Sequence, residues 1–150
     1  MLSSHQTSKN LAENRRARFD YEITETYEAG VELLGAEVRS VKGGHMNLAG
    51  SYAIGRRGEL WLVNASIPAH QPKNAPADYD PQRPRRLLLH SQEIKELLGK
   101  LREKSFALLP LKVYLKRSLI KLELGLGRSR KAHDKREYLK KRIARREMDR

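Results

Sequence analysis

The sequence predicts a mainly β fold in which about six short strands with flanking helices form a small barrel, closed or partly open, followed by a basic tail. Two observations predict this fold. Several short segments alternate apolar and polar residues, as half-buried strands do, and glycines or a proline-rich stretch separate them. A length of 150 residues is enough for one compact domain plus tails, but too short for two ordinary domains.

The N-terminal half is expected to supply two strands and a short helix. Residues 1–9 are small and polar without an apolar period, so we expect them to be disordered. In FDYEITETYE, Phe19, Tyr21 and Ile23 alternate with polar residues and predict the first strand. Gly30 offers a bend, after which VELLG is expected to pair as a second short strand. The segment GAEVRSVKGG suits a short helix that ends at the Gly-Gly pair.

The middle of the chain predicts a hairpin and a long loop. SYAIGR and ELWLVNA are expected to be strands joined at Arg57-Gly58, which has the composition of a tight turn, and this hairpin is expected to bury Trp61. Residues 68–84 hold five of the six prolines and therefore predict an exposed loop, because proline interrupts helices and central strands.

The C-terminal part predicts one amphipathic helix and a last hairpin. In SQEIKELLGKLREK, apolar residues recur at i, i+3, i+4 and i+7, with Ser91 placed as the N-cap and Glu93 in the first turn. In LKVYLKRSLIKLELG, apolar and polar residues alternate on both sides of a turn expected at Arg117-Ser118, with Tyr114 on the polar side. Short strands of this kind, with glycine at the bends, suggest an oligonucleotide-binding (OB) barrel over residues 10–127.

The charge of the chain favours a polyanion as its partner. The formal charge is +13, from 31 basic and 18 acidic residues, and eleven of the basic and four of the acidic residues lie in the last 23 positions. Lysine and arginine near phosphates release condensed counterions, which favours binding to nucleic acid. An acidic membrane surface is a weaker alternative, because no stretch reaches roughly 18 apolar residues and no signal-peptide pattern is present.

Several kinds of chemistry are not expected. The chain has no cysteine, which excludes a disulfide framework and a thiolate nucleophile and fits a reducing, cytoplasmic compartment. The five histidines stand far apart, so we expect neither a metal site nor another cofactor. GGHMNLAG lacks the Lys-Ser or Lys-Thr of a phosphate-binding loop. We interpret Glu25, Glu28 and Glu32 as a solvated strand edge, with a catalytic pair among them as the alternative.

Two basic regions remain as functional candidates. One is a set of basic and aromatic residues on the predicted barrel that can pair with phosphates and stack on bases, unless it is only a solvated basic face. Its members are Arg15, Arg16, Arg18, Phe19, Lys112, Tyr114, Lys116, Arg117 and Lys121. The other is the tail, residues 128–150. Drawn as a helix, its apolar residues spread around the wheel, so we expect it to be disordered when free and to fold on RNA.

Four motifs carry a resemblance to a known family. ENRRARFDYEI, YEAGVELLGAEVRSVKGG, DPQRPRRLLLH and AHDKR, in this order and spacing, resemble the SsrA-binding proteins, the small protein B family. The resemblance implies an OB barrel with flanking helices that binds transfer-messenger RNA (tmRNA) and rescues stalled ribosomes by trans-translation in the bacterial cytoplasm. It implies no enzymatic activity. A general RNA-binding or ribosomal protein with the same barrel is the alternative that composition alone leaves open.

The resemblance also implies partners and site residues. The partners are tmRNA, the stalled 70S ribosome, and elongation factor Tu with alanylated tmRNA. The tmRNA-binding residues would be Asn14, Arg16, Glu28, Leu88 and Lys121. In the tail, the residues at the decoding centre and in the vacant mRNA channel would be His133, Asp134, Lys135, Arg136, Lys140, Lys141 and Arg142.

This chain departs from the family pattern at three places. Phe19 stands where the family usually has histidine, and Tyr79 stands where many members have histidine. Ser129-Arg130-Lys131 replaces a Gly-Lys-Lys linker. Because serine is less permissive than glycine, we expect a linker with the same charge but less hinge freedom.

Overall fold

The computed structural model describes residues 8–148, which form seven strands and four α-helices. The strands are β1 (Ser8–Glu13), β2 (Tyr21–Val31), β3 (Tyr52–Arg56), β4 (Glu59–Val63), β5 (Arg85–Leu88), β6 (Phe106–Lys116) and β7 (Leu119–Ser129). The helices are α1 (Arg15–Asp20), α2 (Gly35–Lys42), α3 (Ser91–Leu101) and α4 (Ala132–Met148), and a single 3-10 turn covers Pro72–Asn74.

Six of the strands close into an antiparallel ring. Their order is β6-β3-β4-β5-β2-β7, and β7 pairs again with β6. β1 lies outside this ring on the edge of β6, beyond the point where Leu108 pairs with Ala53 of β3. The predicted mainly β domain with flanking helices is confirmed, with one strand more than the expected number of about six.

The hydrophobic core fills the inside of the ring. Alternate residues of β4 and β7 point inward, and α2 and α3 add side chains that pack against them. The largest apolar side chains that are fully buried are Leu48, Leu60, Leu62, Ile67, Leu87, Leu97, Leu108, Leu122, Leu124 and Leu126. α3 packs closely on β3 at Gly55, where an added Cβ atom would lie 2.5 Å from Cδ2 of Leu98 and would force that leucine side chain to move.

The N-terminal boundaries differ from the prediction. β1 begins at Ser8, within the stretch expected to be disordered, and residues 1–7 of that stretch lie outside the described part of the chain. SKNLAE has no apolar alternation, and it becomes a strand because β6 offers it a free edge. Phe19 belongs to α1, so the strand predicted at FDYEITETYE begins at Tyr21.

The separate strand expected at VELLG is also wrong. β2 continues without a break through Gly30, because this residue pairs with Lys121 of β7 on one side and with Leu88 of β5 on the other. A strand that is hydrogen-bonded on both edges does not bend at a glycine merely because glycine permits it.

The hairpins are confirmed, although Trp61 is not buried as expected. The turn residues Arg57 and Gly58 have φ values of 53° and 79°, and both turn residues of the β6–β7 hairpin also have positive φ. Leu60 and Leu62 occupy the inner face of β4, so alternation places Trp61 on the outer face, where it is half-buried opposite Ile54.

The helix and loop predictions for the middle of the chain hold with one change. The short helix is α2, the amphipathic helix is α3, and residues 68–84 form a loop that contains only the 3-10 turn. The N-cap of α3 is His90 and not Ser91, and its backbone N–H donates to Oε1 of Glu93 at 3.3 Å.

A buried ion network fixes the long loop to the ring. Glu37 of α2 is 1 % exposed and Arg85 of β5 is 0 % exposed. Nη2 of Arg85 lies 2.7 Å from Oε2 of Glu37, and Nε of Arg83 lies 3.0 Å from the same oxygen. The Tyr79 hydroxyl lies 2.7 Å from the carbonyl oxygen of Ile67 and 3.1 Å from Oε2 of Glu37. The tyrosine that departs from the family pattern therefore anchors the loop.

The network also sets the ionisation of Glu37. Burial alone would raise the pKa of this carboxyl group, but hydrogen bonds from Arg83, Arg85 and the backbone N–H of Leu34 outweigh burial and lower the pKa to about 2. Glu37 therefore stays ionised well into the acid range.

Replacing Glu37 with Gln should lower the free energy of unfolding by about 3–5 kcal/mol, because Arg85 would remain buried without its counter-charge. Urea unfolding followed by circular dichroism measures this loss. Glu32→Gln is the matched control, since the Glu32 side chain is 64 % exposed and pairs with Arg86 at 3.5 Å, so it should cost less than about 1 kcal/mol. Equal losses in the two variants would contradict this account.

The pairing of Glu37 with Arg85 also predicts that the stability of the fold depends on pH. The pKa of Glu37 is depressed in the folded chain, so its contribution is fully present above its ordinary pKa of 4.5 and is lost as the pH falls toward 2. The stability difference between the unmodified chain and Glu37→Gln should therefore shrink over that interval.

Candidate nucleic-acid interface

The outer face of five neighbouring strands brings three of the predicted RNA-binding residues together. Leu88 of β5 and Lys121 of β7 pair with Gly30 from opposite sides. Lys121 in turn pairs with Tyr114 of β6, and Tyr114 pairs with Asn10 of β1. These five residues form one cross-strand row. Side chains directly opposite each other point to the same face, so Leu88 and Lys121 lie on that face on either side of Gly30.

Glu28 lies next to this row and is held in place. It stands two residues before Gly30 on β2, so it points to the same face. Its carboxylate accepts a hydrogen bond from the Tyr114 hydroxyl, and Nζ of Lys116 lies 3.3 Å from Oε1. The hydrogen bond from Tyr114 is the main cause of a lowered pKa for Glu28; partial burial opposes it, and Lys116 and Lys121 add to it. Glu28 is therefore a fixed anion among lysines.

Tyr114 is not available to stack on a base, so that interpretation is wrong for this residue. Only 8 % of Tyr114 is exposed, and Nζ of Lys112 lies 5.5 Å from the centroid of its ring. Burial is the main cause of a raised pKa for Tyr114, and the hydrogen bond to Glu28 raises this pKa further. Its role in this face is to position the carboxylate, a role that the sequence could not indicate because 86 residues separate the two.

The remaining groups of this face can bind RNA in two ways. Lys112 and Lys116 of β6 and Lys121 of β7 lie on the same face, with Glu123 opposite Lys112, and the three lysines can pair with backbone phosphates. Leu88 is 42 % exposed, which leaves an apolar contact for a ribose or a base edge beside the charged groups. We call this surface, formed by Glu28, Leu88, Lys112, Lys116 and Lys121, the lysine face.

Asn14 and Arg16 lie at the periphery of this surface. Asn14 precedes α1; its Nδ2 donates to the carbonyl of Pro110 at 3.0 Å and its backbone N–H to that of Leu111 at 2.8 Å. Asn14 borders a groove of about 680 Å³ together with Lys112 and other groups of β1, α1 and α4. Arg16 borders a different groove, beside β3, so it is not brought next to Lys121.

The tail is a helix whose side chains are not buried. All seven predicted ribosome-facing residues lie on α4, and within α4 no residue is buried. His133 and Arg136 are exposed, and Oδ2 of Asp134 accepts from the backbone N–H of Lys131 at 3.4 Å, which caps the first turn. Farther along, Lys140 lies 3.7 Å from Glu137, and the Arg142 guanidinium lies over Tyr138.

The linker before the tail begins inside the sheet. Ser129 is the last residue of β7 and pairs with Tyr21, and Arg128 pairs with Glu22, so the domain boundary expected after residue 127 falls within a strand. The Ser129 position is therefore not a hinge in this structure, because pairing with β2 already fixes its backbone.

The alternative of a catalytic carboxylate pair has little support. Glu25 accepts from the Tyr27 hydroxyl, Glu28 from Tyr114, and Glu32 pairs with Arg86, so each of the three carboxylates has a different partner. Over residues 8–148, no group of three His, Cys, Asp or Glu side chains is arranged to hold a metal ion. None of the helices in this range is long and apolar enough to cross a membrane.

The match to a family model decides the family. The model described as SmpB protein matches residues 11–150, which is nearly the whole chain. The chain belongs to the SmpB protein family. The family suggested by the four sequence motifs is thereby confirmed.

Individual members of the SmpB family match over almost their full length. The SsrA-binding protein of Thermosynechococcus vestitus is 52% identical over 142 residues, covering 95% of this chain and 93% of that protein. The SsrA-binding protein of a Nostoc species is 45% identical over 150 residues, covering 100% of this chain and 97% of that protein.

A solved structure shares the SmpB fold. It is described as "tmRNA-SmpB: a journey to the center of the bacterial ribosome". It is 47% identical to this chain, with a TM-score of 0.67, and the match covers 85% of this chain and 92% of that one. The fold described above is therefore that of an SmpB protein.

Removing the Tyr114 hydroxyl should change the ionisation of Glu28. In Tyr114→Phe, the pKa of Glu28 should rise toward its ordinary value, because its main stabilising hydrogen bond is lost. Carboxyl ¹³C NMR titration measures this pKa. Tyr27→Phe is the matched control, since the Tyr27 hydroxyl donates to Glu25 and leaves Glu28 untouched. An unchanged Glu28 pKa in Tyr114→Phe would refute the positioning role.

Proposed function

We propose that this chain binds the tRNA-like domain of tmRNA through the lysine face and delivers the RNA to stalled ribosomes for trans-translation. The observation that carries the proposal is the similarity over 85% of the chain to a protein whose solved structure is described as tmRNA-SmpB in the bacterial ribosome. The lysine face supports it independently, because lysines grouped beside an exposed apolar side chain suit RNA.

Each residue of the lysine face has a proposed part in binding. Lys112, Lys116 and Lys121 pair with phosphates, and Leu88 packs against a ribose or a base. Glu28, held ionised by Tyr114, accepts hydrogen bonds from base amino groups or 2′-hydroxyls, which are the donors that an unstacked RNA segment offers. A carboxylate among lysines repels a bare phosphate. It therefore favours an RNA that presents donors at that place.

Asn14 and Arg16 are proposed to contact tmRNA at the edge of this surface. Asn14 uses its amide N–H to fix the turn before α1, which leaves its side-chain oxygen as an acceptor for RNA. Arg16 is exposed and borders the groove beside β3, which Asn14 also lines.

The tail is proposed to work as a separate part on the ribosome. His133 would stack on a base of the decoding centre, with Asp134, Lys135 and Arg136 at the entrance to the vacant mRNA channel and Lys140, Lys141 and Arg142 farther in. An exposed helix with this charge repels itself, so we propose that residues beyond Tyr138 are disordered in free solution and become helical between rRNA phosphates.

The chain acts in this proposal as an adaptor and not as an enzyme. It uses no cofactor, it meets elongation factor Tu through the alanylated tmRNA that both bind, and it works in the cytoplasm, where ribosomes stall. A general RNA-binding protein would bind unrelated RNA and tRNA as tightly as tmRNA, so competition between these RNAs separates the two functions.

Changes in the lysine face and changes in the tail should impair different functions. Lys121→Ala should weaken tmRNA binding by about 10-fold or more, because it removes a charged contact. Truncation after Ser129 should leave binding nearly unchanged and abolish peptide tagging on stalled ribosomes. Gel-shift titration and an in vitro tagging assay measure the two effects, with Lys95→Ala on the exposed side of α3 as the control. An equal loss of binding in both variants would overturn this division.

Binding of tmRNA should depend strongly on salt. If about four to six phosphates are engaged, the logarithm of the association constant should fall against the logarithm of salt concentration with a slope of about −3 to −5. Fluorescence anisotropy over a salt series measures the slope. A flat response would contradict the electrostatic account of the lysine face.

A further inference from the structure

The base of the tail helix is attached to α1 by a set of polar contacts. The backbone N–H of Arg130 donates to the carbonyl oxygen of Asp20 at 2.8 Å, and Nε of Arg130 donates to the carbonyl oxygen of Arg18 at 3.1 Å. One turn later, Nζ of Lys135 lies 3.3 Å from Oδ1 of Asp20. Asp20 thus binds the chain both before and within α4, through its backbone and through its carboxylate.

An aromatic ring completes this attachment. The Lys135 ammonium lies 5.5 Å from the centroid of the Phe19 ring, and the Arg16 guanidinium lies 4.9 Å from it. Arg16 also donates to Oδ2 of Asp20 at 3.2 Å, so the carboxylate and the ring are both fixed by α1 itself. Contacts within α1 therefore support the attachment site, and Lys135 adds a second cation to it.

These contacts are confined to the start of α4. Lys135 and Tyr138 are half-buried, and the remaining described residues of α4 are exposed. The Arg130 guanidinium lies 4.3 Å from the Tyr138 ring, which closes the contact over the first two turns. Beyond that point the direction of the helix depends on how its base is held.

We propose that Asp20 and Phe19 are positioning residues that seat the first two turns of α4 and so set the direction in which the tail leaves the RNA-binding body. This inference rests on the proposed function of the tail. A helix of 17 residues is about 25 Å long, so a change of about 20° at its base displaces its far end by roughly 9 Å. That displacement is comparable to the diameter of the helix. The orientation of the first two turns of α4 therefore decides whether its far end can enter the mRNA channel.

The seat, formed by Phe19 and Asp20, also allows Lys135 to contact a second partner. The Lys135 ammonium has three N–H donors, and its contact with Asp20 at 3.3 Å leaves the other donors for a phosphate. An rRNA phosphate can therefore pair with Lys135 while Asp20 keeps the base of α4 in place.

The attachment of α4 to the seat, Phe19 and Asp20, can be tested by measuring a distance in the free chain. The sequence contains no cysteine, so spin labels at Glu96→Cys on α3 and Glu137→Cys on α4 report one defined distance. Double electron–electron resonance should give a narrow distribution in this otherwise unmodified chain and a broad one in Phe19→Ala/Asp20→Ala. Glu137 lies before Tyr138, so disorder in the distal tail does not affect the result.

Controls separate loss of the seat from loss of folding. Tyr52→Ala/Glu32→Gln changes an exposed aromatic residue and an exposed carboxylate away from α4, and should keep the distribution narrow. Asp20→Glu, which retains the carboxylate, should also keep it narrow. Lys135→Ala should broaden it without altering the body at all. A distribution that is broad in the parent chain, or equally narrow in the Phe19→Ala/Asp20→Ala and Lys135→Ala variants, would overturn the proposal.

A functional measurement distinguishes failure of the seat from failure of the proposed function. With tmRNA at saturating concentration, Phe19→Ala/Asp20→Ala should reduce tagging on stalled ribosomes several-fold, and Tyr52→Ala/Glu32→Gln should not. Tagging equal to the parent chain in both would show that the seat does not orient the tail on the ribosome. Failure of the parent chain to bind tmRNA would instead refute the proposed function and leave the distance result intact.

Discussion

The pairing of β7 with two long neighbours is the constraint on which the rest of the structure depends. β7 is hydrogen-bonded to β2 along one edge and to β6 along the other, each over nearly the full length of an 11-residue strand. This pairing closes the ring, and β7 carries three of the buried leucines, Leu122, Leu124 and Leu126. It also fixes the register that puts Glu28, Tyr114 and Lys121 side by side. The surface proposed to bind RNA and the core that stabilises the fold are thus two faces of the same three strands.

Charge on this protein is balanced differently inside and outside the ring. Glu37 and Arg85 are buried together and stabilise the attachment of the long loop, so their pairing is structural. On the lysine face, Glu28 is held by a tyrosine that is itself buried, while Lys116 is exposed and Lys112 and Lys121 are half-buried. Burial therefore separates ion pairs that hold the fold from charges that are available for recognition.

Local patterns in the sequence predicted the hairpins, the two internal helices and the long loop, because turn composition and apolar spacing act over a few residues. The same patterns missed β1, whose residues carry no alternation and depend on an edge supplied by β6. They placed Trp61 inside because alternation defines two faces without saying which one is buried. The network at Glu37, the support of Glu28 by Tyr114 and the contact of Asp20 with Lys135 join residues that are 48, 86 and over 100 positions apart. Only the fold brings them together. The family resemblance suggested Glu28, Leu88 and Lys121 as binding residues, and the strand register makes them neighbours.

The run of β7 from Lys121 to Ser129 has a further consequence. It connects the lysine face to the base of the tail through one extended, doubly paired strand, about 26 Å long at the usual rise per residue. The distance between the lysine face and the base of α4 is therefore set by a paired strand and not by a flexible linker. A single inserted residue would also turn Lys121 to the opposite face. Substitutions can change what the lysine face or the tail binds. The distance between the lysine face and the base of the tail changes only if the sheet itself changes.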